Sequence, residues 1–409
     1  MSFICRSCDS QNTHSIIPLG NLPLANALLA HKTHTHEPRH NLEVMLCENC
    51  GLAQLKDIIN PDDLFSDYVY FSSNSTTMLE SVSQLVDRVI PSLEKDSLVI
   101  EIASNDGYLL KNYVRQNIHV LGIDPAKNIA DVANQKGIPT LCDFFGQKLA
   151  SKLAKDGKQA DIIHANNVMA HVPDINGFIQ GIKLLLKPHG QAIIEVPYWA
   201  DLVEKLEFDT IYHEHVYYFS LKALKAAFEK QNLEIVNLEK LPIHGGSLRL
   251  FIMHGGAQEP ENIIDEMIQY EEGKEVHQAS TFANFMQRLS ALKKELTQTL
   301  RDLKASGANI AAYGASAKGT TLLNFFEIDS KLIDFVVDRS PAKQGKFTPG
   351  TQLEIFSPEK LQKSPVTHAL LLSWNFAKEI IEQQAEFVSQ GGKFIIPLPT
   401  VKILPEESL

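Results

Sequence analysis

The sequence has no long apolar run, fewer basic than acidic residues, and few cysteines. None of its apolar stretches approaches the roughly 20 residues that a membrane-spanning helix needs. The segment MSFICRSCDS at the start contains no basic stretch followed by an apolar one, as a secretion signal would. The chain has 38 basic and 49 acidic residues, with a formal net charge of -11, and this acidic balance disfavours nonspecific nucleic-acid binding. These absences predict a cytoplasmic globular protein with neither a membrane nor a nucleic acid as partner.

Four of the five cysteines form two Cys-x-x-Cys pairs. Cys5 and Cys8 open the chain, and Cys47 and Cys50 follow after residues 9–46. In a reducing compartment such pairs favour metal ligation, and four thiolates complete the closed tetrahedral shell of a structural zinc ion. Incidental or redox-active pairs are the alternative. The remaining Cys142 stands alone and is expected to be a small core residue.

Apolar strand-like runs alternate with helical patterns in two parts of the chain. Such alternation predicts doubly wound parallel sheets, so the fold class is α/β. In the larger unit the predicted strands are 98–104, 119–125, 161–167 and 191–197, closed by an antiparallel pair at 232–242 and 246–255. In the smaller unit the strand-bearing segments are 309–326, 331–340, 367–374 and 393–399.

These patterns divide the chain into five predicted parts. They are a zinc-binding lobe at 1–58, a linker with a helix at 59–95, a cofactor-binding unit at 96–258, connecting helices at 259–306, and a second α/β unit at 307–409. The linker helix is indicated by apolar residues at helical spacing between Met78 and Val89.

A cofactor site is predicted where the strands of the larger unit end, because ligands of doubly wound sheets bind there. The first turn lacks G-x-G-x-x-G and carries an acidic residue near the helix start, which disfavours a dinucleotide. S-adenosylmethionine has no phosphate and is cationic, so acidic and amide groups suit it. A carboxylate after the second strand is placed to accept the ribose hydroxyls. The predicted cofactor residues are Glu101, Ala103, Asn105, Asp106, Gly107, Asp124, Asn166 and Asn167.

Seven segments together resemble the motifs of deoxysugar C-methyltransferases. They are EIASNDGYLL, GIDP, NNVMAHVPD, EVPY, FDTIYHEHVYYFS, HGGSLRLF and AAYGASAKGTTLLNF. The resemblance covers nearly the whole chain. It implies a class I Rossmann-like methyltransferase sheet, an N-terminal zinc lobe and a smaller C-terminal Rossmann-like unit. It also implies methyl transfer from S-adenosylmethionine to carbon 3 of a nucleotide-diphosphate 4-keto-deoxysugar, usually thymidine-linked. Ala103 stands where we expect the family to carry glycine.

Methylation at carbon needs a general base that removes the proton beside the ketone, and a donor that stabilises the enolate oxygen. Histidine is the usual base near neutral pH. The resemblance places Tyr212, Glu214 and His215 at the sugar, with His215 as the preferred base and His171 as a donor to the keto oxygen. On a regular strand Tyr212 and His215 would face opposite sides, so these residues can all face one sugar only if a loop or a turn lies here. Metal binding by His213 and His215 is a weaker alternative.

The second unit is expected to bind the sugar nucleotide. A small-residue loop, Gly314 to Gly319, follows a strand and opens a helix, which suits a diphosphate, although the G-x-x-x-x-G-K pattern is absent. The predicted substrate-binding residues are Tyr68, Tyr70, His244, Gly245, Gly314, Ser316, Lys318, Arg339 and Lys343. Tyr68 and Tyr70 would close over the sugar from the linker.

Two other functions stay open on the sequence alone. One is an O- or N-methyltransferase acting on another small molecule, and the other is a nonenzymatic, zinc-lobed module that binds a nucleotide sugar. The sequence leaves the protein as a monomer or a dimer.

Overall fold

The computed structural model describes residues 3–33, 37–61, 64, 72–74 and 76–405. Tyr68 and Tyr70 lie outside the described residues, and the side chain of His244 is not described. Among the helices of the described part, none is both long and apolar enough to cross a membrane.

An antiparallel sheet of four strands forms the N-terminal lobe. Its order is β1 (Thr13–Leu22), β2 (His40–Cys47), β3 (Ala53–Leu55) and β9 (Tyr217–Tyr218). The two Cys-x-x-Cys pairs lie before β1 and at the turn between β2 and β3. The edge strand β9 comes from the cofactor-binding unit, so the two predicted parts share one sheet.

The central sheet has seven strands in the order β10-β11-β8-β7-β4-β5-β6. The strands are β4 (Leu98–Ile102), β5 (His119–Ile123), β6 (Thr140–Leu141), β7 (Ala160–Asn166), β8 (Leu186–Pro197), β10 (Leu233–Leu241) and β11 (Ser247–His254). Strands β4 to β8 are parallel, and β11 runs antiparallel between β8 and β10. The predicted strands and the closing antiparallel pair are confirmed, whereas β6 was not predicted.

Among the residues that the structure describes, seven helices accompany this sheet. They are α1 (Thr76–Val89), α2 (Leu110–Val114), α3 (Lys127–Gln135), α4 (Gln147–Lys155), α5 (Ile175–Leu185), α6 (Trp199–Lys205) and α7 (Leu221–Glu229). The starts of two follow from N-cap side chains, because Asp174 accepts from the Gly177 amide and Ser220 from the Ala223 amide. Helix α1 confirms the helix predicted in the linker.

Two consecutive helices, α8 (Ile263–Gly273) and α9 (Thr281–Ala305), lead to the C-terminal unit. Helix α9 buries one apolar stripe that includes Leu289, Leu292, Leu296 and Leu300. This three- and four-residue spacing places the leucines on one face of the helix. The predicted connecting helices are therefore a pair.

The C-terminal sheet has six strands in the order β14-β13-β12-β15-β16-β17, and only the edge strand β17 is antiparallel. The strands are β12 (Ile310–Tyr313), β13 (Val336–Val337), β14 (Ile355–Phe356), β15 (His368–Leu371), β16 (Lys393–Ile396) and β17 (Lys402–Leu404). The helices are α10 (Ala317–Phe326), α11 (Lys360–Lys363), α12 (Ala377–Gln383) and α13 (Ala385–Ser389). This is the second Rossmann-like unit that the sequence predicted.

One residue prediction about the core is wrong. Cys142 is exposed rather than buried. Strand β6 ends one residue earlier, at Leu141, so Cys142 belongs to the loop at the sheet's edge.

Candidate functional site

One cavity of about 930 Å³ lies where the carboxyl ends of the two parallel sheets face each other. The central sheet contributes the loops after β4, β5, β6 and β7, and the C-terminal sheet contributes those after β12, β13 and β15. A loop of the N-terminal lobe reaches it through Asn26. In doubly wound folds this end of the sheet is where ligands bind, so both units direct their binding loops into the same space.

Five of the predicted cofactor residues line this cavity. They are Ala103, Asn105, Asp124, Asn166 and Asn167. Glu101, Asp106 and Gly107 do not line it. Gly107 has φ +76, and a Cβ there would come within 2.3 Å of Ile138, so this glycine allows the turn to pack closely. Asp106 forms an ion pair with Lys136 at 2.7 Å.

The aspartate after the second strand has the same role in each sheet. Asp124 accepts from the amides of Asn105 (3.0 Å) and Ala126 (2.9 Å). Asp338 accepts from Ala315 and Ser340, both at 2.8 Å. Each carboxylate thus braces the turn after its sheet's first strand while lining the cavity.

Several buried polar atoms near the cofactor side have no hydrogen-bond partner among the described residues. They are both carboxylate oxygens of Glu101, both amide atoms of Asn166 and the amide oxygen of Asn167. Burial, and then the charges of Asp124 and Asp106, hold the pKa of Glu101 well above its ordinary value. Buried polar groups are normally paired. The amide groups of Asn166 and Asn167, which line the cavity, therefore suit a ligand with amino and carboxylate groups, such as the methionine part of S-adenosylmethionine.

The Tyr212-His213-Glu214-His215 segment is a turn, closed by the His215 amide donating to the Tyr212 carbonyl at 2.9 Å. As a result Tyr212, Glu214 and His215 all line the cavity together with His171. His213 does not, and its Nε2 instead bonds the His40 carbonyl at 3.1 Å. The required turn is present, and it separates the two histidines.

Tyr212 and His215 form a hydrogen-bonded pair whose polarity can be assigned. His215 Nδ1 lies 2.9 Å from the Thr210 carbonyl, which can only accept, so Nδ1 carries the proton. In the neutral ring Nε2 then accepts, and the Tyr212 hydroxyl donates to it at 2.7 Å. The pair has the geometry for passing a proton from the phenol to the imidazole.

His171 and Glu214 complete the polar cluster. The His171 ring lies edge-on to that of His215, with 4.8 Å between ring centroids. Burial lowers the pKa of His171 to about 4, against the opposing effect of a hydrogen bond from its ring to the Glu214 backbone, so the imidazole is neutral at pH 7. Burial raises the pKa of Glu214 to about 7, against the opposing effect of the bond from Asn26.

The N-terminal lobe holds this turn in place. Strand β9 begins two residues after His215 and pairs with β3, joining Tyr217 to Gln54 and Tyr218 to Ala53. Between turn and strand, the Val216 carbonyl accepts from the Leu55 amide at 2.8 Å. The lobe therefore fixes the backbone directly beside the polar cluster.

In the C-terminal unit, Gly314, Ser316 and Lys318 line the cavity at the start of α10. Gly314 has φ +96, and a Cβ there would meet the Ser373 hydroxyl at 2.3 Å. Ser316 caps the helix by accepting from the Gly319 amide at 3.1 Å. The Lys318 ammonium lies 4.9 Å from the centre of the Trp374 ring.

Arg339 and Lys343 also line the cavity, so with Lys318 it carries three cations. Two of them have acidic partners that line it too, Asp338 at 3.7 Å from Lys343 and Glu379 at 3.8 Å from Arg339. Arg339 donates to Gln383 at 2.9 Å, and Lys343 donates to the Ala315 carbonyl at 2.9 Å. Gly245, by contrast, does not line the cavity; its φ is +97, and a Cβ would collide with the Glu207 carboxylate at 2.2 Å. Gly245 is thus required by its turn.

The four cysteine sulfurs lie within 4.8 Å of one another. The Cys5–Cys50 and Cys8–Cys47 sulfur distances are 3.7 and 3.6 Å. A regular tetrahedron with Zn–S bonds of about 2.3 Å has edges of about 3.8 Å, so the cluster fits zinc closely. All four positions would be filled by protein, which leaves none for a substrate.

Sequence reasoning missed some cavity residues. Asn26 donates to Glu214 Oε1 at 2.6 Å from a loop 188 residues away, and no local signal indicates it. Asp143 and Phe144 line the cavity directly after β6. If the short strand β6 had been recognised in the sequence, the carboxylate of Asp143 just after it would have indicated a ligand-binding loop.

The fold and this cavity define the protein as an S-adenosylmethionine-dependent methyltransferase. Family models match three consecutive parts of the chain: a "Putative zinc binding domain" at 5–65, a methyltransferase domain at 75–238, and a C-methyltransferase C-terminal domain at 242–399. The chain is 34% identical over 408 residues to C-methyltransferase NovU of Streptomyces niveus, covering 99% of this chain and 97% of that one. The protein therefore belongs to this family of C-methyltransferases.

More distant similarities are confined to part of the chain. Ubiquinone biosynthesis O-methyltransferase of Bartonella bacilliformis is 32% identical over 97 residues, which is 24% of this chain and 39% of that protein. Among solved structures, magnesium protoporphyrin IX methyltransferase of Synechocystis is similar with a TM-score of 0.34 and 14% identity, covering 43% of this chain and 79% of that one.

Proposed function

We propose that the protein transfers a methyl group from S-adenosylmethionine to carbon 3 of a nucleotide-diphosphate 4-keto-deoxysugar, with thymidine as the first choice of nucleoside. The observation that carries this proposal is the cavity that the two Rossmann-like units share. It is lined by the amide groups of Asn166 and Asn167 from the central sheet, by three cations of the C-terminal unit and by the Tyr212–His215 turn. A substrate that spans the cavity would bring its sugar to the turn.

The cofactor would be held by the loops of the central sheet and would supply an electrophilic methyl group. Asp124 faces the cavity after β5, where it suits the ribose hydroxyls. Asn166 and Asn167 suit the methionine amino and carboxylate groups, and the buried Glu101 carboxyl lies beneath them with no partner among the described residues. Asp143, after β6, suits the adenine amino group.

Proton removal is assigned to the Tyr212–His215 pair. The ketone at carbon 4 acidifies the proton on carbon 3. The Tyr212 oxygen takes this proton as its own hydroxyl proton passes to His215 Nε2, 2.7 Å away. His215 is then the final proton acceptor, and its imidazolium is stabilised by the Thr210 carbonyl at Nδ1. General-base catalysis of this kind contributes about 10²- to 10⁴-fold.

The enolate oxygen needs a hydrogen-bond donor that keeps its proton. We assign this role to His171, which lines the cavity against His215; because its ring bonds the Glu214 backbone, its N–H would have to turn from that carbonyl to the enolate oxygen. A neutral imidazole N–H stabilises the developing negative charge without protonating it. Glu214, in its ionised form, would accept from a sugar hydroxyl and so fix the ring above the base.

The nucleotide would bind at the C-terminal unit. The start of α10 offers backbone amides and the positive end of the helix dipole, which suit a diphosphate. Lys318, Arg339 and Lys343 add positive charge around it. Phe376 lines the outer part of the same region and offers an aromatic surface to the base.

The test is incubation with methyl-labelled S-adenosylmethionine and a panel of nucleotide-linked 4-keto-deoxysugars. We expect label in a thymidine-linked sugar and a new carbon-bound methyl group at carbon 3 by NMR. A methyl group on oxygen or nitrogen would instead establish an O- or N-methyltransferase. Binding of a sugar nucleotide without any transfer would favour the nonenzymatic module.

A further inference from the structure

Asn26 is a cavity residue that belongs to neither of the two Rossmann-like units. It lies on the loop between β1 and β2 of the N-terminal lobe and lines the cavity. Its Nδ2 donates to Glu214 Oε1 at 2.6 Å, a short bond of the charge-assisted type. The Asn26 side chain therefore contacts Glu214, which is the carboxylate of the Tyr212–His215 turn.

The backbone around Asn26 is fixed by its own turn and by the C-terminal unit. The Ala25 carbonyl accepts from the Thr320 hydroxyl at 2.9 Å, and the Asn26 carbonyl accepts from the Leu28 amide at 2.8 Å. Leu29 and Phe347 exchange two backbone bonds, at 2.9 and 2.8 Å. The amide of Asn26 is thus presented to Glu214 from a constrained loop.

Glu214 depends on this donor. Its side chain is buried, and it has no ion-pair partner within the described part of the chain. The titratable groups beside it are His171, on the short helix Met169–His171, and Tyr212 and His215 of its own turn. An ionised carboxylate buried without a donor is costly, so the Asn26 amide favours the ionised form.

We propose that Asn26 is a positioning residue that orients the Glu214 carboxylate and keeps it an acceptor for the substrate. The proposal rests on the function proposed above, because it assigns Glu214 to a substrate hydroxyl. On this proposal the N-terminal lobe supports the reaction in two ways: it holds the Tyr212–His215 turn through β9, and it orients Glu214 through the Asn26 side chain.

The test uses Asn26→Asp, which keeps the shape of the side chain and replaces a donor with an acceptor. Two facing carboxylates share one proton, so at low pH the protonated Asp can still donate to Glu214. Near pH 6 we expect kcat/KM of this variant for the sugar nucleotide to stay within about threefold of the wild-type value. By pH 9 it should be about tenfold or more below wild type, because the two facing carboxylates have then lost the proton they share. Asn41→Asp is the matched control.

Asn41 also belongs to the N-terminal lobe and donates to a carboxylate, that of Asp57 at 2.8 Å, but it does not line the cavity. Asn41→Asp should show the wild-type pH profile. A loss in Asn26→Asp that is equal at every pH would mean a purely structural role and would overturn the proposal. The affinity for S-adenosylmethionine should be unchanged in both variants.

A second measurement needs no substrate. With ¹³C-labelled glutamate, the Glu214 carboxyl signal can be assigned by its absence in Glu214→Gln and titrated by NMR. Asn26→Ala should raise the pKa of Glu214 by about one to two units, the loss expected for one bond to a charged group. If the pKa of Glu214 is the same in Asn26→Ala and in wild type, the role of Asn26 is refuted. If instead wild type methylates no sugar nucleotide, only the proposed function is refuted, because the NMR titration needs no substrate.

Discussion

Replacing Tyr212 by phenylalanine tests the assignment of the base. The change removes one hydroxyl, which donates to His215 Nε2 at 2.7 Å, and leaves the ring tilted against the imidazole with 4.0 Å between the ring centroids. If the hydroxyl only held the imidazole in place, its loss would cost about 1 kcal/mol, or roughly fivefold in rate. If it carries the proton, kcat should fall about 10²- to 10⁴-fold.

The assay that separates these cases is hydrogen exchange at carbon 3 of the 4-keto sugar in D₂O, followed by NMR without methyl transfer. Tyr212→Phe and His215→Asn should both lose exchange, and the double variant should be little worse than either, because the two groups act as one unit. His213→Asn is the control, since that histidine faces the His40 carbonyl and not the cavity.

Exchange that survives at near wild-type rates in Tyr212→Phe while methyl transfer falls would refute the relay. His215 would then take the proton directly or another group would be the base. Retained exchange in both single variants would remove the pair from proton abstraction altogether.

Three further predictions follow from buried groups and backbone angles. Because burial raises the pKa of Glu214 to about 7, kcat/KM should fall as pH drops below about 7, and Glu214→Gln should remove this step from the pH–rate profile, leaving only the loss caused by protonation of the base itself. Cys47→Ser should lower the zinc content measured by atomic absorption and abolish turnover. Calorimetry should show that the variant still binds S-adenosylmethionine. Undiminished turnover would contradict the idea that the zinc lobe holds the Tyr212–His215 turn in place through β9. Ala103 has φ +54, so Ala103→Gly should raise stability by about 1 kcal/mol in denaturant unfolding, whereas Ala126→Gly, at φ -78, should not.

The elements that the sequence predicted well are those with a local cause. Strands β4, β5 and β7 are short, largely apolar runs, as is the second half of β8, and a buried parallel strand needs little else. The cysteine pairs were equally clear, because each pair forms one turn. The prediction that a turn must contain Tyr212 and His215 also had a local cause, the alternation of side chains along a strand.

The features that were missed depend on residues far apart in the chain. Strand β9 is two residues long and exists because β3 offers it an edge. Asn26 reaches Glu214 from 188 residues away, and no periodicity relates the two. Cys142 was assigned to the core from its residue type alone, but β6 ends before it and leaves it exposed. All three features depend on contacts between residues that are distant in the sequence, so no local pattern could have predicted them.

The zinc cluster can influence the reaction without taking part in it. Gln54 is fully buried and donates to Cys5 Sγ at 3.2 Å, while its backbone pairs with Tyr217 in β9. One residue therefore connects a zinc ligand to the strand that begins two residues after His215. Because zinc binding supplies much of the folding energy of such lobes, loss of the metal should release β9 and the turn with it. A closed shell excludes Lewis-acid catalysis by zinc, but it makes the metal the anchor for the groups that move the proton.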